Sequence, residues 1–466
     1  MGMVQRLIGA PCAIVFVLGV SHAQSSNTVR ELGGAKPLSC SPAPCVLTAT
    51  QVSSGLYGAV DAPIAADPPN PERIIVGSDD YNCAPQSGLS FYLTSNGGSS
   101  WDTFCMVPLF SGNQEYIPDV DPILGYDRDG IAYIGGFYLD DNGRTEFGFE
   151  GFEKSSDGVN WSNPAPAVVR QNYDPSYCWM AVDDSAISPY MNSVYISCVM
   201  VGLNNQPYNQ VVVAHSNNGG ATWQQVNVAP MQKSPDRDFY TALVVGRDGT
   251  VYLTWMYCNT GPQACDNDKA YMVFSKSSDG GNTWSPPKLV AAVTLITFLP
   301  NTSIFVRDGP AIGVDNGNGP YAGNLYVSMY NWTGTFMQVR VARSTDGGSD
   351  WSKPVPVAPG ITHDQFFPWI SISPSGLVGV SWLDRRNDPN NVDYQAFGAI
   401  SANGGLGFQA NVQLTTGFSN PTTTMGFSIG NYTGNTWDGP SYFLAAWMDN
   451  SQTTNMQDFV GGIRLK

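Results

Sequence analysis

Thr94-Ser95-Asn96-Gly97-Gly98-Ser99-Ser100-Trp101 is the first copy of a phrase that recurs along the 466-residue chain. It returns as SSDGVNW ending at Trp161, SNNGGATW ending at Trp223, SSDGGNTW ending at Trp284 and STDGGSDW ending at Trp351. A worn copy, SANGGLGF, ends at Phe408, and successive copies lie 60, 62, 61, 67 and 57 residues apart. A fixed period of this kind means one supersecondary unit repeated so that neighbours bury each other's faces. The chemistry of the phrase is that of a turn. Asp or Asn accepts hydrogen bonds from the backbone that follows it, and the glycines permit positive φ. The closing aromatic packs beneath the hairpin. These residues read as folding staples, not catalytic carboxylates.

The rest of the composition agrees with short strands and many turns. Gly (50) and Pro (33) are spread throughout, Trp (12) and Tyr (22) are abundant, and charged residues are only 13%. Helical 3.6-residue stripes are hard to find, so the chain reads as all-β. With 22 basic and 38 acidic residues, the net charge of −16 makes nucleic acid and anionic membranes poor partners. Residues 1–23 read as a signal peptide: Arg6, an apolar run over 7–20, then Ser21-His22-Ala23 before cleavage at Gln24. That run is short for a bilayer span, and no later segment is long enough. The expectation is a secreted or periplasmic protein with no transmembrane segment in the mature chain, a leader over 24–44 and one repeat domain over 45–466. Apart from Cys12, the cysteines fall into local pairs, and an exported chain predicts disulfides. Nearest-neighbour pairing gives Cys40–Cys45, Cys83–Cys105, Cys178–Cys198 and Cys258–Cys265.

The phrase resembles the Asp-box (BNR) repeat of the sialidase superfamily and of other β-propellers, and the resemblance covers nearly the whole mature chain. It implies a single propeller of four-stranded blades. The second, most hydrophobic strand of each unit is the easiest to count. It recurs at 73–76, 131–135, 193–198, 250–255, 324–328, 377–382 and 441–447, which predicts seven blades. Six would remain if one unit were an insertion, and sialidases resemble six-bladed rings. The seventh unit ends at Lys466 without its fourth strand; Cys45-Val46-Leu47-Thr48-Ala49-Thr50 has the character to supply it and close the ring.

In a propeller the first strand of each blade lines the channel. Loops before that strand and after the second strand share one face, opposite the Asp-box turns. Nearly every blade offers carboxylates there: Asp61, Asp119, Asp121, Asp174, Asp236, Asp238, Asp308 and Asp364 before inner strands, and Asp79, Asp80, Asp140, Asp141, Asp384, Asp388 and Asp449 after second strands. Three readings stay open. Asp opens turns, so the recurrence can be architectural. Asp384, Asp388 and Asp393 in one loop offer hard oxygen ligands to a calcium ion. Asp308 and Asp364, with Asp238 beside them, could supply a glycosidase acid and its partner carboxylate. His363 adjoins Asp364 as a candidate base.

The sialidase resemblance implies a Tyr nucleophile activated by Glu, an Asp acid/base and an arginine triad. Tyr432 is a late candidate Tyr, and Arg237, Arg307 and Arg385 could read a carboxylate. The chain has no Glu after Glu153, so the middle and late blades offer Tyr432 no Glu partner, and Glu72-Arg73-Ile74-Ile75 is a poor match to the family's early Phe-Arg-Ile-Pro motif. Aromatics near the channel face, Trp369 among them, suit a sugar or a protein partner. Two functions follow: an exported glycoside hydrolase-like enzyme acting through Asp, or a non-catalytic propeller that binds a glycan or extracellular protein across its channel face.

Overall fold

The computed structural model describes residues 45–53, 57–140, 148–203, 208–233, 235–259, 269–306, 309–409, 411–423 and 429–465. These form seven antiparallel sheets, each beginning at an inner strand and stepping outward in chain order. Inner strands of blades 2 to 7 are Gln114–Tyr126, Tyr173–Val182, Arg237–Val245, Ala311–Val314, Gln365–Ile372 and Gly434–Asp438. In blade 1 the inner position is shared by Ala59–Val60 and Ile64–Ala66, both paired with Ile74–Asp80. Each second strand encloses or adjoins its sequence-predicted segment. Val378–Asp384 and Gln395–Ser401 are buried along their whole length, because blade faces pack on both sides of them.

Blade 7 lacks a fourth strand of its own. Cys45–Gln51 fills the place by pairing antiparallel with Gln457–Arg464, joining the two ends of the chain in one sheet. The ring therefore closes without an exposed inner edge.

The repeated turns carry the hydrogen bonds their composition predicts. Asn96 Oδ1 accepts from the Ser100 N–H at 3.0 Å, and Asp279 Oδ1 from the Thr283 N–H at 2.9 Å. The Trp284 indole N–H donates to the Gly281 carbonyl at 3.1 Å. Disulfides Cys83–Cys105 and Cys178–Cys198 are as expected. Cys45 and Cys258 are also disulfide-bonded, whereas Cys40 and Cys265 lie outside the described residues. Among the described residues no helix is long and apolar enough to cross a membrane.

At the channel mouth the inner strands share a bulge. The register shifts between Pro118 and Ile123, Ser176 and Trp179, Phe239 and Ala242, and Phe366 and Trp369. Asp121, Tyr177, Tyr240 and Phe367 at these shifts have φ of 62°, 54°, 46° and 49°, as does Asp61 in blade 1 at 62°. Such bulges re-aim side chains, and here they do so around the ring.

Candidate functional site

The bulges fill the channel mouth with aromatics. Trp179 of blade 3 packs against Trp369 of blade 6 with ring centroids 4.2 Å apart, and against Tyr432 of blade 7 at 5.6 Å. Tyr177 and Tyr240 meet at 4.5 Å. The void these residues enclose with Asp121 and Asn431 is about 30 Å³, the share of liquid volume held by a single water. A sugar ring does not fit there without displacing the plug.

Beside the plug, one oxygen each of Asp61, Asp79 and Asp121 lie within 4.8 Å of one another. Burial raises the pKa of Asp61 and drives that of Asp79 well above the usual carboxylate range, with the Asp61 and Asp121 charges adding to the rise at Asp79. Tyr432 is held here. Its hydroxyl donates to the Pro122 carbonyl at 3.0 Å, and its N–H to Asp61 Oδ1 at 3.2 Å. Burial, then Asp61, Asp121, Asp79 and Glu150, push its phenol well up, the reverse of an activated nucleophile. The expectation that Tyr432 has no Glu within reach is corrected by this arrangement. Ring closure brings Glu150 of blade 2 round to blade 7, so the absence of late Glu residues was the wrong test.

Asp364 and Arg385 form a buried ion pair, Nη1 to Oδ2 at 3.5 Å, both fully enclosed. Asp364 also accepts from the Met337 N–H at 2.8 Å and from Asn391 Nδ2 at 2.5 Å, and Arg385 donates to the Pro300 carbonyl at 2.9 Å. Asp384 takes the Trp382 indole N–H at 2.7 Å and Arg386 Nη2 at 2.5 Å. Asp388 caps its own loop, accepting the N–H groups of Asn390, Val392 and Asp393 at 3.0, 2.8 and 2.8 Å. Asp384, Asp388 and Asp393 are not among the acidic triads that gather within 4.8 Å in the described residues. His363 is half-buried, as is Arg237. Arg307 and Asp308 lie outside the described residues.

Asp238 has a different setting. It opens the inner strand of blade 4 and is 1% exposed, yet it borders a cleft of about 460 Å³ between blades 3 and 4. Asn209 clasps its backbone from blade 3, accepting its N–H and donating to its carbonyl, each at 3.1 Å. The Trp255 indole N–H donates to Oδ1 at 3.0 Å. Oδ2 has no hydrogen-bond partner among the described residues. Burial raises the carboxyl to about 7, although Trp255 and Gln232 pull it down. Trp255 and Tyr257 share a strand face, and Tyr257 pairs across the ladder with Tyr271, centroids 6.0 Å apart. Lys288 and Leu289, both exposed, form the outer lip. The volume falls within the ordinary range of small-ligand sites. The sequence reading named Asp238 but not its aromatic surroundings; alternation along 251–258 was the signal that could have found Trp255 and Tyr257 on one face.

Asp238 and Asp364 share no hydrogen-bonding neighbour, so the structure separates two of the proposed catalytic carboxylates.

No family model and no curated protein matches the chain. Among solved structures, it is similar to a polysaccharide lyase of family PL25, an ulvan lyase, bound to -[GlcA(1-4)Rha3S]-: 13% identity, TM-score 0.52, covering 89% of this chain and 96% of that one. Others are a protein of unknown function from Dyadobacter fermentans (14%, TM-score 0.49, 78% and 98% covered) and the intramolecular trans-sialidase from Ruminococcus gnavus (11%, 0.46, 72% and 92%). This chain is a seven-bladed Asp-box β-propeller. At such identities the likeness is one of fold.

Proposed function

We propose that the protein is a carbohydrate-directed propeller that seats part of a glycan in the cleft between blades 3 and 4. The observation that carries this reading is the free Oδ2 of Asp238, buried at the inner end of a cleft with aromatic side chains of Trp255, Tyr257 and Tyr271. Sugars present apolar C–H faces and hydroxyl donors, and this cleft offers rings for the first and an acceptor for the second. A buried carboxylate facing the ligand favours an uncharged, hydroxyl-rich sugar over an anionic one at alkaline pH. An ulvan lyase shares the fold and is bound to a sugar chain in its structure.

A second reading rests on the same residue. A carboxyl held at about 7 is suited to give a proton to a leaving oxygen. Asp236, within hydrogen-bonding reach of Tyr257, is the nearest second carboxylate to Asp238. That would make the protein a glycoside hydrolase-like enzyme, but not through a Tyr nucleophile, because Tyr432 is enclosed in the plug.

The test is a panel of neutral and anionic oligosaccharides, with binding measured by calorimetry and products followed by mass spectrometry. Wild type should bind a neutral chain, and Tyr271→Ala and Asp238→Asn should each weaken it at least about tenfold, the scale of one lost stacking or charged hydrogen-bond contact. Product formation lost in Asp238→Asn would favour catalysis. Binding unchanged in both variants would remove the cleft from the account.

A further inference from the structure

The acidic cluster at the channel mouth is independent of the cleft, and the carbohydrate reading does not depend on it. Asp61 and Asp79 come from blade 1 and Asp121 from blade 2. The 4.8 Å limit on their mutual oxygen separations is the spread expected for oxygens each about 2.4 Å from a common centre, a calcium–oxygen distance and too long for magnesium.

The cluster is held in place by backbone and amide donors. Asp61 takes the N–H groups of Asn431 and Tyr432 and the Asn431 side-chain amide at 3.2 Å. Asp79 Oδ1 takes the Asp121 N–H at 2.9 Å. Gly430, at φ 91°, leaves room for this approach, since a Cβ there would lie 2.8 Å from Asp61 Oδ1. No Lys or Arg among the described residues forms an ion pair with Asp61 or Asp79.

Glu150 supplies a separate observation. It stands on the third strand of blade 2, is 0% exposed, and neither of its oxygens has a hydrogen-bond partner among the described residues. Asp121 is the charged group that acts on it, and Tyr432 feels Glu150 together with the three Asp residues. A buried carboxylate with both oxygens unsatisfied is costly unless something positive faces it.

We propose that Asp61, Asp79 and Asp121 bind one calcium ion, with Glu150 as the fourth carboxylate facing the site. The ion ties blade 1 to blade 2 directly, and to blade 7 through Asn431 and Tyr432. It therefore clamps the ring beside the seam that Cys45–Gln51 closes. The opposing account is a set of carboxyls kept neutral by shared protons.

The experiment uses the purified mature chain and metal ions alone. After dialysis against metal-free buffer, mass spectrometry should find close to one equivalent of calcium. EDTA should lower Tm by about 2–5 °C, restored by Ca²⁺ and not by Mg²⁺. Tb³⁺ bound at the same place should emit through Trp179 and Tyr432, be displaced by Ca²⁺, and be lost in Asp79→Asn or, if that variant does not fold, in Asp121→Asn. Asp388→Asn, in the separate acidic loop of blade 6, should leave the emission unchanged. A chain with no bound calcium and no Tm response overturns the proposal, as does Tb³⁺ emission lost in Asp388→Asn but kept in Asp79→Asn.

Discussion

At the Asp-box end of the propeller, Asp157 and Asp346 stand at the surface with backbone N–H groups converging on them. Hydrogen bonds from the Asn160 and Asp350 N–H groups, respectively, are the largest influences and hold both carboxyls below their usual range. At the channel end, Asp61, Asp79, Asp238 and Asp364 are enclosed, and burial carries every one of them upward. Residue type and recurrence are the same at both ends. What differs is whether donors arrive before water leaves. A box carboxylate is stabilised as an anion and kept solvated, so it staples a turn. A mouth carboxylate has lost water without full replacement, so it retains an affinity for a proton, a cation or a hydroxyl.

The largest effect should come from opening the one enclosed carboxylate that has its own cation. Arg385→Ala leaves Asp364 buried and unpaired and should cost about 3–5 kcal/mol by denaturant unfolding at neutral pH. Adding Asp364→Asn should recover a substantial part. A loss under about 1 kcal/mol would mean that Asp364 stays solvated, and the contrast between the two ends would fail.

Asp238→Asn should act in the other direction. The folded carboxyl titrates near 7 against 3.8 in its ordinary state, so the folded chain holds the proton more tightly. The group's contribution to stability is full below pH 4, declines through 4 to 7, and is a constant cost above that. The variant should therefore be more stable than wild type at pH 8, by up to about 4 kcal/mol, with the difference vanishing near pH 4. Equal stabilities at pH 8 would place Asp238 among ordinary carboxylates.

The smallest effect belongs to the box. Asp279→Ala removes acceptors for the Thr283 N–H and hydroxyl from a largely solvated turn, and should cost about 1 kcal/mol by thermal unfolding. A cost as large as that of Arg385→Ala would erase the distinction between staple and buried site.

The box end was legible in the sequence because its chemistry is local: Asp279 and the N–H it accepts are four residues apart. The second strands were legible for the same reason, as was the missing strand that Cys45–Gln51 supplies. The channel end was not. Trp179 meets Trp369, and Tyr432 comes within reach of Glu150, only after the ring has closed. The bulges that turn Tyr177 and Tyr240 into the channel need positive φ at residues that give no glycine signal. Asp236 and Asp238 differ by two positions, and only the strand that brings Trp255 against one of them tells them apart. Asp364 and Arg385 were each named as site residues, yet their pairing with one another depends on a loop returning across the blade.

The most direct measurement is the pH dependence of binding for a neutral oligosaccharide, by calorimetry from pH 5 to 9, in wild type and Asp238→Asn. A sugar hydroxyl donating to Oδ2 favours the ionised carboxyl, so wild-type affinity should rise through about pH 7 with release of a proton, and the variant should show neither. Affinity that is flat in wild type, or an inflection that persists in Asp238→Asn, would contradict the assignment of this cleft.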